Sequence, residues 1–138
     1  MIRIENSSKQ EIKTIIEAQK VFFRRGETLD LDFRLQALRA LKTAILKWEK
    51  CIAEALWLDL HKSYEEAYLT ELSIVLGEID NHLRHLKLWM TPKPVATPIK
   101  MMPSRSKVMA EPLGCSLIMA PWNYPVQLLL NPLVGAIS

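Results

Sequence analysis

The first 91 residues of this 138-residue chain contain no proline, and the whole chain holds only two cysteines and four glycines. Cys51 and Cys115 are 64 positions apart, which matches neither a disulfide framework nor a zinc-ligand spacing. We therefore expect two reduced, packed thiols rather than a disulfide scaffold. The few glycines form no glycine-rich dinucleotide fingerprint.

Charge of one sign is also scarce, because the formal net charge is only +3. Residues 1–90 hold 14 basic and 14 acidic side chains. The surplus comes from four separated cations between positions 93 and 107, set against Glu111. Dispersed cations do not form a surface that follows a phosphate backbone, so the charge pattern predicts no nucleic-acid partner.

Segments for export or for a membrane are missing as well. Residues 1–6 (MIRIEN) have no apolar core of signal-peptide length, so we expect a cytoplasmic, reducing compartment. Residues 112–138 carry no charge, but four prolines divide them into pieces far shorter than the roughly 20 apolar residues of a membrane span. We expect this uncharged segment to be buried interior, with no membrane segment in the chain.

Helical periodicity dominates residues 1–90. Ser7 and Ser8 each have a glutamine or glutamate three residues on, at Gln10 and Glu11, and this capping-box pattern predicts a first helix from about 8 to 25. Asp30 or Asp32 can cap a second helix that reaches residues 59–62, either as one long helix or as two helices in series with a kink. The apolar stripe of this second helix comprises Phe33, Leu38, Leu41, Ile45, Trp48, Ile52 and Leu56.

A third helix is predicted from the pair Ser63 and Glu66, and it ends before Pro92. His82 and His85 are three apart on this helix, but no third ligand completes a metal site at a readable spacing. We interpret them as surface or interfacial imidazoles and predict no metal.

The proline-rich half predicts a different architecture. Residues 91–103 are typical of an extended connector, because each proline disfavours the helical region for its predecessor. We expect a half-exposed strand at 106–111, a turn at 112–114, and a strand at 115–120 that is covered on both faces. The chain thus divides into residues 1–90, 91–112 and 113–138.

The most specific segment is APWNYP, residues 120–125. Pro121 and Pro125 stiffen this loop from both ends, and Pro125 suits the first turn of an apolar helix. We expect that helix to be buried, with Pro132 kinking or restarting it. A strand, a rigid loop and a helix open a doubly wound α/β unit, in which ligands bind beyond the carboxyl ends of the strands.

Asn123 is the residue of this loop that can carry chemistry. A rigidly held amide can donate a hydrogen bond to an oxygen that gains negative charge in a transition state. The alternative is a buried asparagine that ties two loops together. The spacing of the residues does not choose between the two.

Five motifs occur in a fixed order: RLQAL at 34–38, DLHK at 59–62, EPLG at 111–114, APWNYP at 120–125 and NPLVGAI at 131–137. This order resembles the aldehyde dehydrogenase superfamily, in particular its class 3 and fatty-aldehyde branch, from about residue 12 to the end. The resemblance implies an α/β fold with an N-terminal helical layer, the start of a Rossmann-like NAD(P)-binding domain and a β oligomerisation arm over about 98–111. We expect the 138 residues themselves to be mostly α-helical.

The resemblance also implies a reaction: NAD(P)-dependent oxidation of aldehydes to carboxylic acids through a cysteine thiohemiacetal. Asn123 matches the family's donor to the oxyanion. Three residues match positions that border NAD or NADP in the family: Ala120, Pro121 and Trp122. Three others match positions that line the aldehyde tunnel: Tyr124, Gln127 and Tyr68. The arm would pack on the partner subunit of a homodimer.

Two departures from the family limit this expectation. The family's nucleophilic cysteine and general-base glutamate lie far downstream, and Cys51 and Cys115 do not match the nucleophile. The resemblance therefore implies an N-terminal piece that is inactive alone. The alternative is a non-catalytic helical interaction module that associates with an intact aldehyde dehydrogenase. The uncharged segment disfavours that alternative, because it would expose a large apolar surface.

Overall fold

The computed structural model describes residues 6–138. The expectation that the chain has no signal peptide depends largely on residues 1–5, which lie outside the described residues. The helices are α1 (Lys9–Arg24), α2 (Leu31–Leu60), α3 (Tyr64–Ala67), α4 (Ser73–Trp89) and α5 (Pro125–Ile137). A π-helical turn (Tyr68–Leu72) joins α3 to α4, and 3-10 turns occur at Glu27–Leu29 and Ile99–Met101. The strands β1 (Lys93–Val95) and β2 (Ser106–Val108) lie between α4 and α5.

Helix α1 begins at the predicted capping box. The Ser8 backbone N–H donates to Glu11 Oε2 at 2.6 Å, and the Glu11 backbone N–H donates to Ser8 Oγ at 3.2 Å. The first of these hydrogen bonds, with a smaller effect of the Ser8 side chain, lowers the pKa of the Glu11 carboxyl. The helix ends before Gly26, whose φ of +78° is a conformation that favours glycine. The prediction of a helix from about 8 to 25 is confirmed.

Helix α2 is one continuous helix of 30 residues, which decides between the two arrangements that the sequence left open. Asp30 is its N-cap, and its side chain accepts a 2.8 Å hydrogen bond from the Phe33 backbone N–H. In the predicted stripe, Leu38, Ile45 and Leu56 are buried, Leu41 and Ile52 are partly buried, and Phe33 and Trp48 are exposed.

Replacing Asp30 with alanine should lower the free energy of unfolding by about 1 kcal/mol, because the Phe33 N–H loses its hydrogen bond to the Asp30 side chain. Asp32→Ala is the matched control, since Asp32 lies in the first turn and does not cap the helix. Urea unfolding followed by circular dichroism would measure both. Equal losses in the two variants would show that first-turn charge, and not the cap, stabilises the start of α2.

The core lies where α2, α4 and α5 pack together with the π-helical turn. Its buried residues are Leu38, Ile45, Leu72, Val75, Leu76, Ile79, Leu86 and Val134. Each helix contributes an apolar stripe at helical spacing, which is the pattern that predicted α2 and the third helix. A smaller cluster, of Ala53, Leu56 and Ala67, lies near the α2–α3 junction.

Strands β1 and β2 form an antiparallel pair, with Lys93 opposite Val108 and Val95 opposite Ser106. The predicted extended connector over 91–103 contains β1, an extended segment that pairs with β2, and the 3-10 turn at Ile99–Met101. The connector folds back because the Ser106 N–H donates to Thr97 Oγ1 at 2.9 Å, closing the intervening loop. β2 is shorter than the predicted strand 106–111, and both strands are largely exposed.

The prediction of a buried strand at 115–120 is wrong in this structure. These residues have no strand pairing, and Leu117 is 82% exposed. The physical reason is that a strand needs a neighbour for its backbone hydrogen bonds, and no strand among residues 6–138 pairs with this segment. The expectation of buried interior fails with it, since Leu113, Met119 and Trp122 are exposed as well.

Both cysteines are free and exposed, so the expectation of packed thiols is wrong. Cys115 is exposed because its segment is unpaired, and Cys51 lies on the solvent face of α2. Helix α5 is also less buried than expected: Val134 is its one fully buried residue, and Leu129 is 43% exposed. It continues through Pro132 without restarting. Within residues 6–138, no helix is both long and apolar enough to cross a bilayer.

Candidate functional site

The APWNYP loop leads directly into α5, with Pro125 in the first turn as predicted. Tyr124 occupies the N-cap position but makes no side-chain hydrogen bond to the helix. The free backbone N–H groups at a helix start need acceptors. Here the acceptor comes from another helix: Glu71 Oε2 accepts from the Val126 N–H at 2.8 Å and from the Gln127 N–H at 3.3 Å.

Glu71 is fully buried, and its second oxygen is paired with a buried lysine. Lys62 Nζ lies 2.6 Å from Glu71 Oε1. The same ammonium donates to the backbone carbonyl oxygen of Asn123 at 2.9 Å and lies 3.8 Å from the centroid of the Tyr124 ring. We call Lys62 and Glu71 the buried pair. Together they hold the backbone on both sides of Tyr124.

Local backbone geometry brings the buried pair together. His61 ends α2 with a φ of +54°, in the left-handed region, and Lys62 follows it immediately. In the π-helical turn, the Ser73 N–H donates to the Tyr68 carbonyl five residues back, which shifts the phase of the helix. Glu71 and Leu72 consequently both lie on the buried side.

Asn123 presents an exposed side chain on this fixed backbone. Within residues 6–138, its hydrogen bond to Lys62 uses the main-chain carbonyl, and no described residue holds the side-chain amide. The arrangement is therefore not that of a buried asparagine tying two loops together. It leaves the amide free to donate to a group outside the described residues.

The other predicted site residues fall into two groups. Tyr68 and Gln127 are half-buried and lie on elements that pack together, the π-helical turn and α5. Tyr124 joins this group through the contact of its ring with Lys62. The three residues predicted to border the cofactor, Ala120, Pro121 and Trp122, form the first half of the APWNYP loop, and Trp122 is 88% exposed.

The sequence interpretation missed the buried pair. In the sequence, Lys62 belongs to a motif only as the last residue of DLHK, and Glu71 belongs to none of the five motifs. A signal for Glu71 was present, because it precedes Val75 and Ile79 at intervals of four on the buried face of a helix. A carboxylate on a core stripe requires a partner, since burying an unpaired charge is strongly unfavourable.

His82 and His85, the predicted surface or interfacial imidazoles, both lie on α4. His82 Nε2 lies 2.9 Å from Glu78 Oε1 and His82 Nδ1 lies 2.6 Å from Ser138 Oγ, so this imidazole is interfacial. In the described part of the chain, no three His, Cys, Asp or Glu side chains converge in a way that could hold a metal ion.

A tyrosine beside the buried pair provides a pH-dependent prediction. The Tyr64 hydroxyl donates to Glu49 Oε1, and this hydrogen bond raises the pKa of the phenol. A raised pKa in the folded state means that the contact stabilises the fold below the ordinary phenol pKa and loses this effect as the pH rises through the raised value. Glu49→Gln should therefore move the Tyr64 ionisation to lower pH.

Absorbance titration of the phenolate would measure that shift, with Tyr64→Phe identifying the transition. Glu54→Gln, an exposed carboxylate on the same helix, is the control. An unchanged titration curve in Glu49→Gln would mean that the contact does not persist in solution.

The fold and the loop define the class of this site: an asparagine with an exposed side-chain amide, whose backbone a buried ion pair holds just before a helix begins. The family model described as the aldehyde dehydrogenase family matches residues 1–138, and the chain belongs to that family. Proteins named as family 3 aldehyde dehydrogenases match over 84% to 95% of this chain, which confirms the class 3 resemblance.

Individual relatives agree with this membership. The 4,4'-diaponeurosporen-aldehyde dehydrogenase of Staphylococcus aureus is 44% identical over 119 residues, which are 86% of this chain and 26% of that protein. The dimeric NADP-preferring aldehyde dehydrogenase of Canis lupus familiaris is 37% identical over 128 residues, or 93% of this chain and 28% of that protein. This chain thus spans about a quarter of the length of the curated relatives it matches.

A solved structure shows the same fold. The substrate-bound state of Staphylococcus aureus AldH superposes with a TM-score of 0.88 at 43% sequence identity, covering 91% of this chain and 28% of that one. The matched 91% of this chain therefore has the same fold as the corresponding 28% of that enzyme.

Proposed function

We propose that this chain is the N-terminal part of an NAD(P)-dependent aldehyde dehydrogenase that oxidises aldehydes to carboxylic acids, and that Asn123 is its oxyanion donor. The observation that carries the proposal is the Asn123 loop, whose backbone is fixed by the buried pair while the side-chain amide is free. Family membership and the matching fold support the aldehyde as the substrate class.

In this mechanism, each residue of the chain has a limited task. The side-chain amide N–H of Asn123 donates a hydrogen bond to the aldehyde oxygen. At the same time, a cysteine thiolate from the remainder of the whole enzyme attacks the carbonyl carbon. The same hydrogen bond becomes stronger as that oxygen acquires negative charge, which lowers the barrier. Tyr68, Tyr124 and Gln127 line the approach of the aldehyde and orient it.

The cofactor would be bordered by Ala120, Pro121 and Trp122. Trp122, which is 88% exposed in the loop that carries Asn123, offers an apolar face for that contact. When bound, NAD or NADP supplies the hydride acceptor. The described residues offer no glycine-rich phosphate loop, so the remaining contacts would come from the Rossmann-like domain that this chain begins.

The hairpin of β1 and β2 is proposed as the oligomerisation arm of a homodimer. Its outer backbone groups have no strand partner among residues 6–138, and such an edge can pair with another chain. One relative is named as dimeric. A cytoplasmic, reducing location is part of the same proposal, because both cysteines are free and exposed.

A chimera tests the proposal. Residues 1–138 would be joined to the part of the Staphylococcus aureus enzyme that follows its matched region, and NAD(P) reduction with aldehydes would be followed at 340 nm. We expect an active chimera and no activity from the 138 residues alone, because a single oxyanion donor has no nucleophile to assist. A folded but inactive chimera, or an active isolated chain, would contradict the proposal.

A non-catalytic interaction module is the second candidate, favoured by the separate hydrophobic core of α2, α4 and α5. The exposed Leu113, Leu117 and Trp122 argue against it, because an apolar surface of this kind promotes self-association. Analytical ultracentrifugation with and without the intact relative would decide. A soluble monomer that binds the intact enzyme and leaves its activity unchanged would favour the module.

A further inference from the structure

We infer that Lys62 and Glu71 are positioning residues: the buried pair sets the orientation of Asn123 by fixing the loop backbone and the first turn of α5. The inference rests on the proposed function for its catalytic consequence. Its structural part, that the pair holds the loop, is independent of that function. Their hydrogen bonds go to the backbone of the loop and of α5, so they act through the position of Asn123.

The first step concerns the start of α5. The helix begins with Tyr124 and Pro125, which provide no capping side chain, and Glu71 Oε2 replaces that cap by accepting from two successive backbone N–H groups. Because Glu71 belongs to the π-helical turn, the position of α5 is tied to the helical layer and not to its own loop. Loss of Glu71 would leave both N–H groups without this acceptor.

The second step concerns Asn123 itself. The Lys62 ammonium donates both to Glu71 and to the Asn123 carbonyl oxygen, and it lies over the Tyr124 ring. These three contacts fix the Lys62 ammonium. Its hydrogen bond to the Asn123 carbonyl oxygen in turn fixes the backbone of Asn123, whose side chain carries the amide. Rotation of the loop would break these contacts together, so Asn123 has one backbone orientation.

The third step concerns charge. A buried ion pair can often be replaced by apolar residues of similar volume without loss of stability, whereas removal of one partner is strongly destabilising. As a charge interaction, a buried pair therefore has no general advantage in stability over apolar residues. Its particular property is geometric, because the hydrogen bonds to Asn123, Val126 and Gln127 extend from the pair to the loop and α5.

The experiment separates position from stability. Lys62→Met combined with Glu71→Leu removes both charges and all the hydrogen bonds to the loop, while retaining buried apolar volume. In the 138-residue chain, hydrogen exchange by NMR should become about tenfold faster or more at the amides of Val126 and Gln127. Amides in the middle of α2 and α4 should exchange as in the unmodified chain.

In the chimera, the same double variant should lower kcat by about 10²-fold with little change in KM, because a small misplacement of a catalytic group has an effect of that size. Glu71→Gln keeps one amide oxygen as an acceptor for α5 but removes the counter-charge of Lys62, so exchange at Val126 and Gln127 should lie between that of the unmodified chain and that of the double variant. It also serves as the second variant if the double variant does not fold.

The control pair is Lys42 and Asp80, a partly exposed ion pair 2.5 Å apart that joins α2 to α4. Lys42→Met with Asp80→Asn should change neither kcat nor exchange at α5. Unchanged exchange at Val126 and Gln127 in the double variant of the buried pair would overturn the inference, and so would faster exchange with unchanged kcat. An inactive parent chimera would instead refute the proposed function, while the exchange result would still decide whether the pair holds the loop.

Discussion

Replacing Asn123 with alanine in the chimera should lower kcat by about 10²- to 10³-fold, the usual effect of removing one oxyanion-hole donor. KM should change far less, because the amide contributes mainly after the oxygen has gained charge. The fold should not suffer, since the Asn123 side chain is exposed and its contact with Lys62 uses the backbone carbonyl. Steady-state kinetics with a saturating cofactor would measure both constants.

Two comparisons make that result specific. Asn123→Asp keeps the size of the side chain but removes the N–H donor, so it should be at least as impaired as the alanine variant. Asn81→Ala, on α4, should retain the activity of the parent chimera. A loss of less than fivefold in Asn123→Ala would remove Asn123 from the catalytic mechanism.

Replacing Glu71 with alanine should lower the free energy of unfolding of the chain by about 3–5 kcal/mol, because it leaves the buried Lys62 ammonium without its counter-charge. Two N–H groups of α5 lose their acceptor in the same variant. For a chain of this size the loss approaches half of the typical total stability. Urea unfolding, followed by circular dichroism with a constant m value, would measure it.

Glu65→Ala is the control for that measurement. Glu65 is an exposed glutamate in α3, and its replacement should change the stability by less than about 0.5 kcal/mol. Similar effects of the two substitutions would mean that Glu71 is hydrated in solution and that Lys62 does not depend on it.

Residues 115–120, upstream of Asn123, are unpaired, whereas the Asn123 loop is held by Lys62. Residues 115–120 have the composition of a strand covered on both faces, yet they lie unpaired. Under the proposed function, strands from the region that follows in the relatives would pair with this segment and cover Leu117 and Met119. The Asn123 loop does not depend on such strands, because its contacts with Lys62 are made within the chain.

Local chemistry was enough to predict much of the fold. The start at Ser63 and the proline in the first turn of α5 are confirmed, and the caps at Ser8 and Asp30 are each one of two neighbouring candidates that the sequence offered. Each of these features depends on residues within one turn of one another. The conspicuous loop around Asn123 was likewise visible in the sequence, since two prolines and an asparagine are neighbours there.

Contacts between distant residues could not be predicted in the same way. The apolar run at 115–120 indicates a strand, but strand formation requires a neighbour that the run cannot specify. Lys62 lies in the loop between α2 and α3, Glu71 lies nine positions later in the π-helical turn, and Glu71 reaches Val126 across 55 positions. Their meeting depends on the left-handed turn at His61 and on the phase of the π-helical turn.

The sequence by itself therefore determined where the helices lie and how several of them begin, and it marked Asn123 as a candidate donor. The tertiary structure alone decided how that residue is held, by bringing a lysine and a glutamate together in the core beneath it. The physical reason is that helix propensity and capping are local, whereas a buried charge is stable only where packing supplies its partner.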